Sequence, residues 1–287
     1  MSKYVLMTDA TLDLPDEVVK ELDIHVIPMN FEINGSTYHH YPDERELSSK
    51  EFYKFLKDGE KPTTAQVTPF VYEELFRSYL KQGIDVICVV FSSGLSGTYQ
   101  SANIARGEVA QKYPDRKVYC IDSKAASVGL GVLMYHAAKK RLDGMEIDEL
   151  NQWISDNKFN ARHWFTVEDL FHLNRGGRLS SLEAIVGTAL KIKPILSIDK
   201  DGKLFVASKV RGTKKAISFL IDKLKEEGTN IKEQTVIIGH GDNIEQAEII
   251  REKLLEEQLV KDAIITNIGP IIGTHTGPGM LALVFMA

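Results

Sequence analysis

The 287-residue sequence predicts an α/β protein in two parts, and three observations carry that reading. Up to about residue 160, short apolar runs rich in β-branched residues alternate with stretches of helical spacing. That alternation predicts a parallel sheet with helices on both faces. Beyond residue 160 the texture changes to a basic, glycine-containing loop and a strand–turn–strand hairpin, so the parts are expected at 1–160 and 161–287. Within the first part, residues 91–102 (FSSGLSGTYQSA) set Ser92, Ser93, Ser96 and Thr98 at the turn from a strand into a helix. Open α/β sheets bind ligands at such turns.

Taken in order, residues 4–7 (YVLM) form a first strand, and Pro15 opens a helix over 16–22. Residues 24–33 are one strand or two extended segments, ended by the turn signal Asn34-Gly35. Ser48 caps a helix over 49–57, residues 58–67 are a polar loop, and Thr68-Pro69 starts a helix through residue 81. The run 84–90 (IDVICVV) is a buried strand, followed by a helix over 99–113 and a strand over 117–122. Residues 123–141 are a mostly apolar helix in which Gly129 and Gly131 permit close packing. A helix over 147–157, a strand over 162–167 and a short helix over 168–173 come next. The loop 174–181 (NRGGRLSS) precedes a helix over 182–190. Strands at 194–198 and 204–210 flank the Asp201-Gly202 turn as a hairpin. Helices over 213–227 and 244–257, strands over 234–239 and 263–268, a loop over 273–279 and a last strand from Leu281 complete the chain.

Composition narrows the classes. A hydrophobic content of 43% and a charged content of 26% are those of a soluble globular protein. The net charge of −5 argues against nucleic acid or an anionic membrane surface as the main partner. The opening residues lack a signal-peptide apolar region and no run is long enough to span a bilayer, so a cytoplasmic location is expected. Cys88 and Cys120 each lie in apolar strands and read as buried thiols.

The loop chemistry points to an anion. A helix N-terminus offers unpaired N–H groups and roughly half a positive charge, which suits a carboxylate or phosphate. The plainer alternative is a serine-rich cap. No P-loop, dinucleotide fingerprint or G-x-S-x-G elbow is present. His39 and His40 with Asp43 and Glu44 suggest a metal site superficially, but adjacent residues on an extended segment face opposite ways, which favours a solvated loop. His240 reads as part of a structural turn.

Six motifs then occur in order: residues 9–14 (DATLDL), Thr64-Ala65-Gln66, 92–102 (SSGLSGTYQSA), 175–180 (RGGRLS), 209–212 (KVRG) and 274–279 (THTGPG). In them the whole chain resembles the DegV family. The resemblance implies an N-terminal α/β domain with a parallel sheet, a C-terminal α/β domain with a mixed or antiparallel sheet, and a long-chain fatty acid between them. It implies a lipid-binding accessory subunit of a bacterial fatty acid kinase, not an enzyme: a separate ATP-binding subunit phosphorylates the carboxylate to an acyl phosphate. No cofactor, metal or catalytic residue is implied. The carboxylate-binding positions fall on Thr64, Ser96 and His275, with Ser93 and Gly97 beside them, and Arg178 and Arg211 match arginines facing the partner or the phosphate. The family commonly has serine where Ala65 stands, so one hydroxyl is missing here. Two rival classes remain at this stage: an esterase or acyltransferase using Ser93 or Ser96 with His275, and a small phosphometabolite-binding protein. Acyl chain length, oligomeric state and the identity of a partner are not legible.

Overall fold

The computed structural model describes residues 4–180 and 192–287; the helix expected at 182–190 lies outside the described residues. A parallel sheet runs in the order β2 (His25–Ile27), β1 (Tyr4–Asp9), β6 (Asp85–Val90), β7 (Val118–Asp122). Alternation along β6 explains its continuous apolar run. Val86, Cys88 and Val90 pack in a core that includes residues of α3 (Pro69–Leu80) and α4 (Thr98–Lys112). Ile87 and Val89 face the opposite core, with α5 (Val128–Leu142) and α6 (Ile147–Asn157). Cys88 and Cys120 are opposite one another on β6 and β7 and carry free thiols.

A small antiparallel sheet, β4 (Ser36–His40), β3 (Met29–Ile33), β5 (Thr63–Thr64), corrects two expectations. The chain after Asn34-Gly35 is a strand, because positive φ at both residues (50° and 72°) turns it back on β3 as a hairpin. The stretch 58–67 is not all loop: Thr64 pairs with Phe31, and the Ala65 N–H donates to the Asn30 carbonyl.

From Ala161 onward the strands form a six-stranded mixed sheet. Its order is β10 (Leu204–Arg211), β9 (Ile192–Ile198), β8 (Ala161–Thr166), β13 (Leu281–Met286), β11 (Thr235–His240), β12 (Asp262–Asn267), with only β11 and β12 parallel. α8 (Thr213–Glu227) and α9 (Ile244–Glu256) cover one face, where Val236, Ile238 and Leu283 pack. The other face packs on α5, and one apolar cluster runs from Leu6 and Ile87 through α5 to Phe165, Ile237 and Val284. α5 is therefore buried nearly all round, as its apolar sequence requires.

α5 starts at Val128, not residue 123, because Lys124 and Ser127 both take φ of 53°. The Asp122 carboxylate accepts the Lys124 N–H, and the Ser127 hydroxyl donates to Asp13 at 2.6 Å. The expected loop 273–279 is in part a helix, α10 (Pro270–Thr276). Pro270 sits at its first turn and Gly277, at φ 73°, ends it. α1 (Asp16–Glu21), α2 (Ser49–Lys57) and α7 (Phe171–Arg175) complete the layers; Ser48 and Glu51 cap α2 reciprocally.

Candidate functional site

The strand-to-helix turn is fixed by Asp9 at the end of β1. Its buried carboxylate accepts the Phe91 N–H at 2.9 Å and the Thr11 N–H and hydroxyl. Burial pushes that carboxyl up from its ordinary value against these hydrogen bonds. Ser92 is buried and donates to the Gly202 carbonyl at 2.8 Å, tying the turn to the β9–β10 hairpin. Gly94 is required by that contact: a Cβ there would lie 2.6 Å from the Gly202 carbonyl oxygen.

Beyond this anchor the motif residues converge. The Thr64 hydroxyl and His275 Nε2 are 3.0 Å apart, joining β5 to the last turn of α10. His275 Nδ1 is buried without a partner among the described residues, against Gly176, where a methyl group would overlap it. Arg178, two residues further along that glycine loop, donates to the Gly176 carbonyl and, through Nε at 3.1 Å, to the Leu95 carbonyl. Ser96 follows Leu95, and its hydroxyl contacts Thr98 Oγ1 at 2.9 Å and accepts the Thr98 N–H. Gly97 starts α4 with no side-chain cap; a Cβ there would overlap the Gln66 amide. Thr64, His275, the 176–178 loop and the 95–97 turn thus form one connected ring, drawn from sequence positions up to 211 residues apart.

Electrostatically the Thr64–His275 contact is neutral, with the Arg178 and Arg175 guanidiniums close to it. Burial, and then the charges of Arg178 and Arg175, lower His275 to about 4, so the imidazole is uncharged at neutral pH. Burial also lowers Arg178, and no carboxylate pairs with it among the described residues. The other expected residues lie outside the ring. Ser93 donates to Asp122, receives the Lys124 ammonium at 2.8 Å, and is thereby committed to β7. Burial pushes the Asp122 carboxyl up, but the bonds from Lys124 and Ser93 outweigh it and hold it below its ordinary value. Arg211 is exposed at the end of β10, with no described hydrogen bond to the ring. His39 is exposed against Glu46 while His40 is buried, so the pair faces opposite ways, but His40 is not solvated. Among the described residues no cluster could hold a metal ion. His240 Nδ1 accepts the Asn243 N–H in a turn.

Next to the ring lies an apolar cavity, which sequence reasoning did not locate. It is lined by Phe91 and Leu95 from the turn, Val128 from α5, Phe165 from β8, Ile272 and Thr276 from α10, and Ala282 and Val284 from β13, and Arg178 also reaches its wall. Its open volume is about 60 Å³. A larger cleft of about 820 Å³ is open and polar, and it contains none of Thr64, Ser96, Arg178 or His275. The small cavity is the one that matches the ring, since Leu95 and Thr276 line it while their neighbours Ser96 and His275 belong to the polar group.

A model of the DegV family matches residues 3–287. The chain belongs to the DegV family. A DegV domain-containing protein of Clostridium perfringens is 43% identical over 286 residues, spanning 100% of this chain and 98% of that protein. The fold agrees as well. The fatty acid-binding DegV family protein of Thermus thermophilus superposes with a TM-score of 0.88 at 28% identity, covering 99% of this chain and 100% of its own. DegV of Bacillus subtilis, described as a fatty acid binding protein, gives 0.84 at 32% identity with 99% of each chain covered. No described helix is long and apolar enough to cross a membrane.

Proposed function

We propose that this DegV protein binds a long-chain fatty acid, with the carboxylate at Thr64, Ser96 and His275 near the start of α4 and the tail in the apolar cavity. The observation that carries this reading is the adjacency of the two surfaces: Ser96 and His275 are polar neighbours of the cavity-lining Leu95 and Thr276. Only an amphipathic anion uses both. Neutral hydroxyls, an uncharged imidazole and helix N–H groups can hold a carboxylate without a formal ion pair. About 15 methylenes at ~0.8 kcal/mol each give on the order of 12 kcal/mol before ordering costs, so the tail dominates affinity and the head group sets orientation. The narrow cavity requires its lining to part as the tail enters. The relatives from Thermus thermophilus and Bacillus subtilis support the ligand class.

The finer reading is that the bound carboxylate is presented to a separate ATP-binding kinase subunit and leaves as an acyl phosphate. A carboxylate held by neutral donors stays nucleophilic. The product gains about one further negative charge, which Arg178, bonded to two carbonyls and to no carboxylate among the described residues, can meet. Arg211, exposed, suits the docked subunit. The esterase reading needs a serine–histidine bond; instead His275 Nε2 engages Thr64, Ser96 engages Thr98 and Ser93 engages Asp122. The test is acyl-phosphate formation from bound oleate with ATP and an added kinase subunit. Product is expected with wild type, and at most a tenth of it, roughly, with Arg178→Ala at unchanged oleate affinity. Equal product from the two proteins removes Arg178 from this role. Hydrolysis of a model ester by the chain alone, lost in His275→Ala, overturns the non-enzymatic reading.

A further inference from the structure

The 820 Å³ cleft is a second feature, independent of the lipid site, and one wall of it is the edge strand β12. The hydrogen-bond phase of that strand can be read directly. Asp262 N–H donates to the Gln234 carbonyl and Ile268 N–H to the His240 carbonyl, so the even-numbered residues face β11. Ala263, Ile265 and Asn267 therefore turn their backbone groups to the free edge. Ala263 N–H is met only by the side chain of Asp262, which confirms the phase.

Exposed edges invite strand pairing, and proteins usually guard them with bulges, lysines or prolines. The opposite edge of the same sheet is guarded: β10 has a bulge between Val206 and Ser208 and carries Lys209 and Arg211. β12 (DAIITN) has no lysine, proline or register shift, and it faces a cleft instead of being covered. The cleft is also acidic. Asp16 and Asp43 are paired with Lys20 and Arg45, and Glu248 lies 3.9 Å from Arg251. Glu17, Glu44 and Asp262 have no cationic partner among the described residues.

We infer that the cleft beside β12 receives an extended, lysine- or arginine-bearing segment of a partner protein, which adds as a strand to the free edge. The negative wall disfavours a second copy of this chain, whose own net charge is −5 and whose β12 edge would bring the same carboxylates together.

The probe is an end-capped octapeptide alternating threonine and lysine, with its glutamate counterpart as control, read by site-resolved hydrogen exchange on the full chain. The lysine peptide is expected to slow exchange at Ala263, Ile265 and Asn267, and to bind more weakly as salt is raised. Glu17→Lys with Glu248→Lys should weaken it by roughly tenfold. Ile265→Pro, which removes an edge-facing N–H and trims a side chain packed on the core beneath α8 and α9, should abolish it while thermal unfolding stays cooperative at a lower midpoint. If that variant fails to fold, the charge reversal and the glutamate peptide decide alone. Equal binding of the two peptides, no protection of those three amides at saturation, or a homodimer that protects them would each overturn the inference.

Discussion

Thr64 and Ser96 are the residues to which the proposal assigns the fatty acid head group. Removing either hydroxyl from a charged hydrogen bond should cost about 1–3 kcal/mol, or roughly 5- to 150-fold in fatty acid affinity, with the fold intact because neither leaves a large cavity. Titration of Thr64→Ala and Ser96→Ala with oleate checks this; wild-type affinity in the double variant would exclude both from the head-group site. Gly176 offers a subtler test. Gly176→Ala places a methyl on His275 Nδ1 and should push the ring from Thr64, weakening phosphorylation and binding without deleting any polar group. The motifs named Thr64 and His275 through family resemblance, but their contact, across 211 residues, has no signal in spacing. Ser93 shows the converse: its place in the motif hid its commitment to Asp122 and Lys124, which only the neighbouring strand β7 supplies.

At the scale of elements, helices with strong local signals were legible in the sequence. α2 begins after Ser48, whose capping box with Glu51 is readable at sight, and α6 and α8 match the expected 147–157 and 213–227. Elements defined by tertiary pairing were not. β5 is two residues long and exists because Thr64 meets Phe31, and the start of α5 is delayed by Ser127 reaching Asp13. The cavity belongs to this class, since its walls come from α5, α10 and three or more strands. Ala282 on β13 lines it with only a methyl group, so Ala282→Phe should fill the tail space and shift retained lipid toward shorter chains. Comparing the acyl lengths extracted from wild type and variant measures this; an unchanged distribution would move the tail elsewhere.

For the whole molecule, four buried histidines set the acid limit. Burial lowers His40, His136, His163 and His275 each to about 4, from an ordinary value near 6.5. The unfolded chain therefore binds these protons first, and the stability they contribute is present above pH ~6.5 and lost as pH falls toward ~4. Asp9 and Asp13 act in the opposite sense: burial raises both, Asp13 to about 7, so unfolding releases the Asp13 proton as pH falls from ~7 toward ~4. Burial lowers His25, His172 and His240 in the same sense, so proton uptake on unfolding outweighs release and stability falls on acidification. Urea unfolding at pH 7, 6 and 5 should show midpoints falling with pH; a flat or rising series would contradict the neutral state assigned to His275 and its fellows.

The central claim, an amphipathic anion with its head in the Thr64–His275 ring and its tail among Phe165, Ile272 and Val284, is tested most directly by what the protein carries. Mass spectrometry of an organic extract of the purified, denatured protein, after incubation with oleate and gel filtration, should find about one long-chain fatty acid per chain in wild type and much less in the Thr64→Ala, Ser96→Ala double variant. No retained fatty acid in wild type, or equal retention in both proteins, would contradict it.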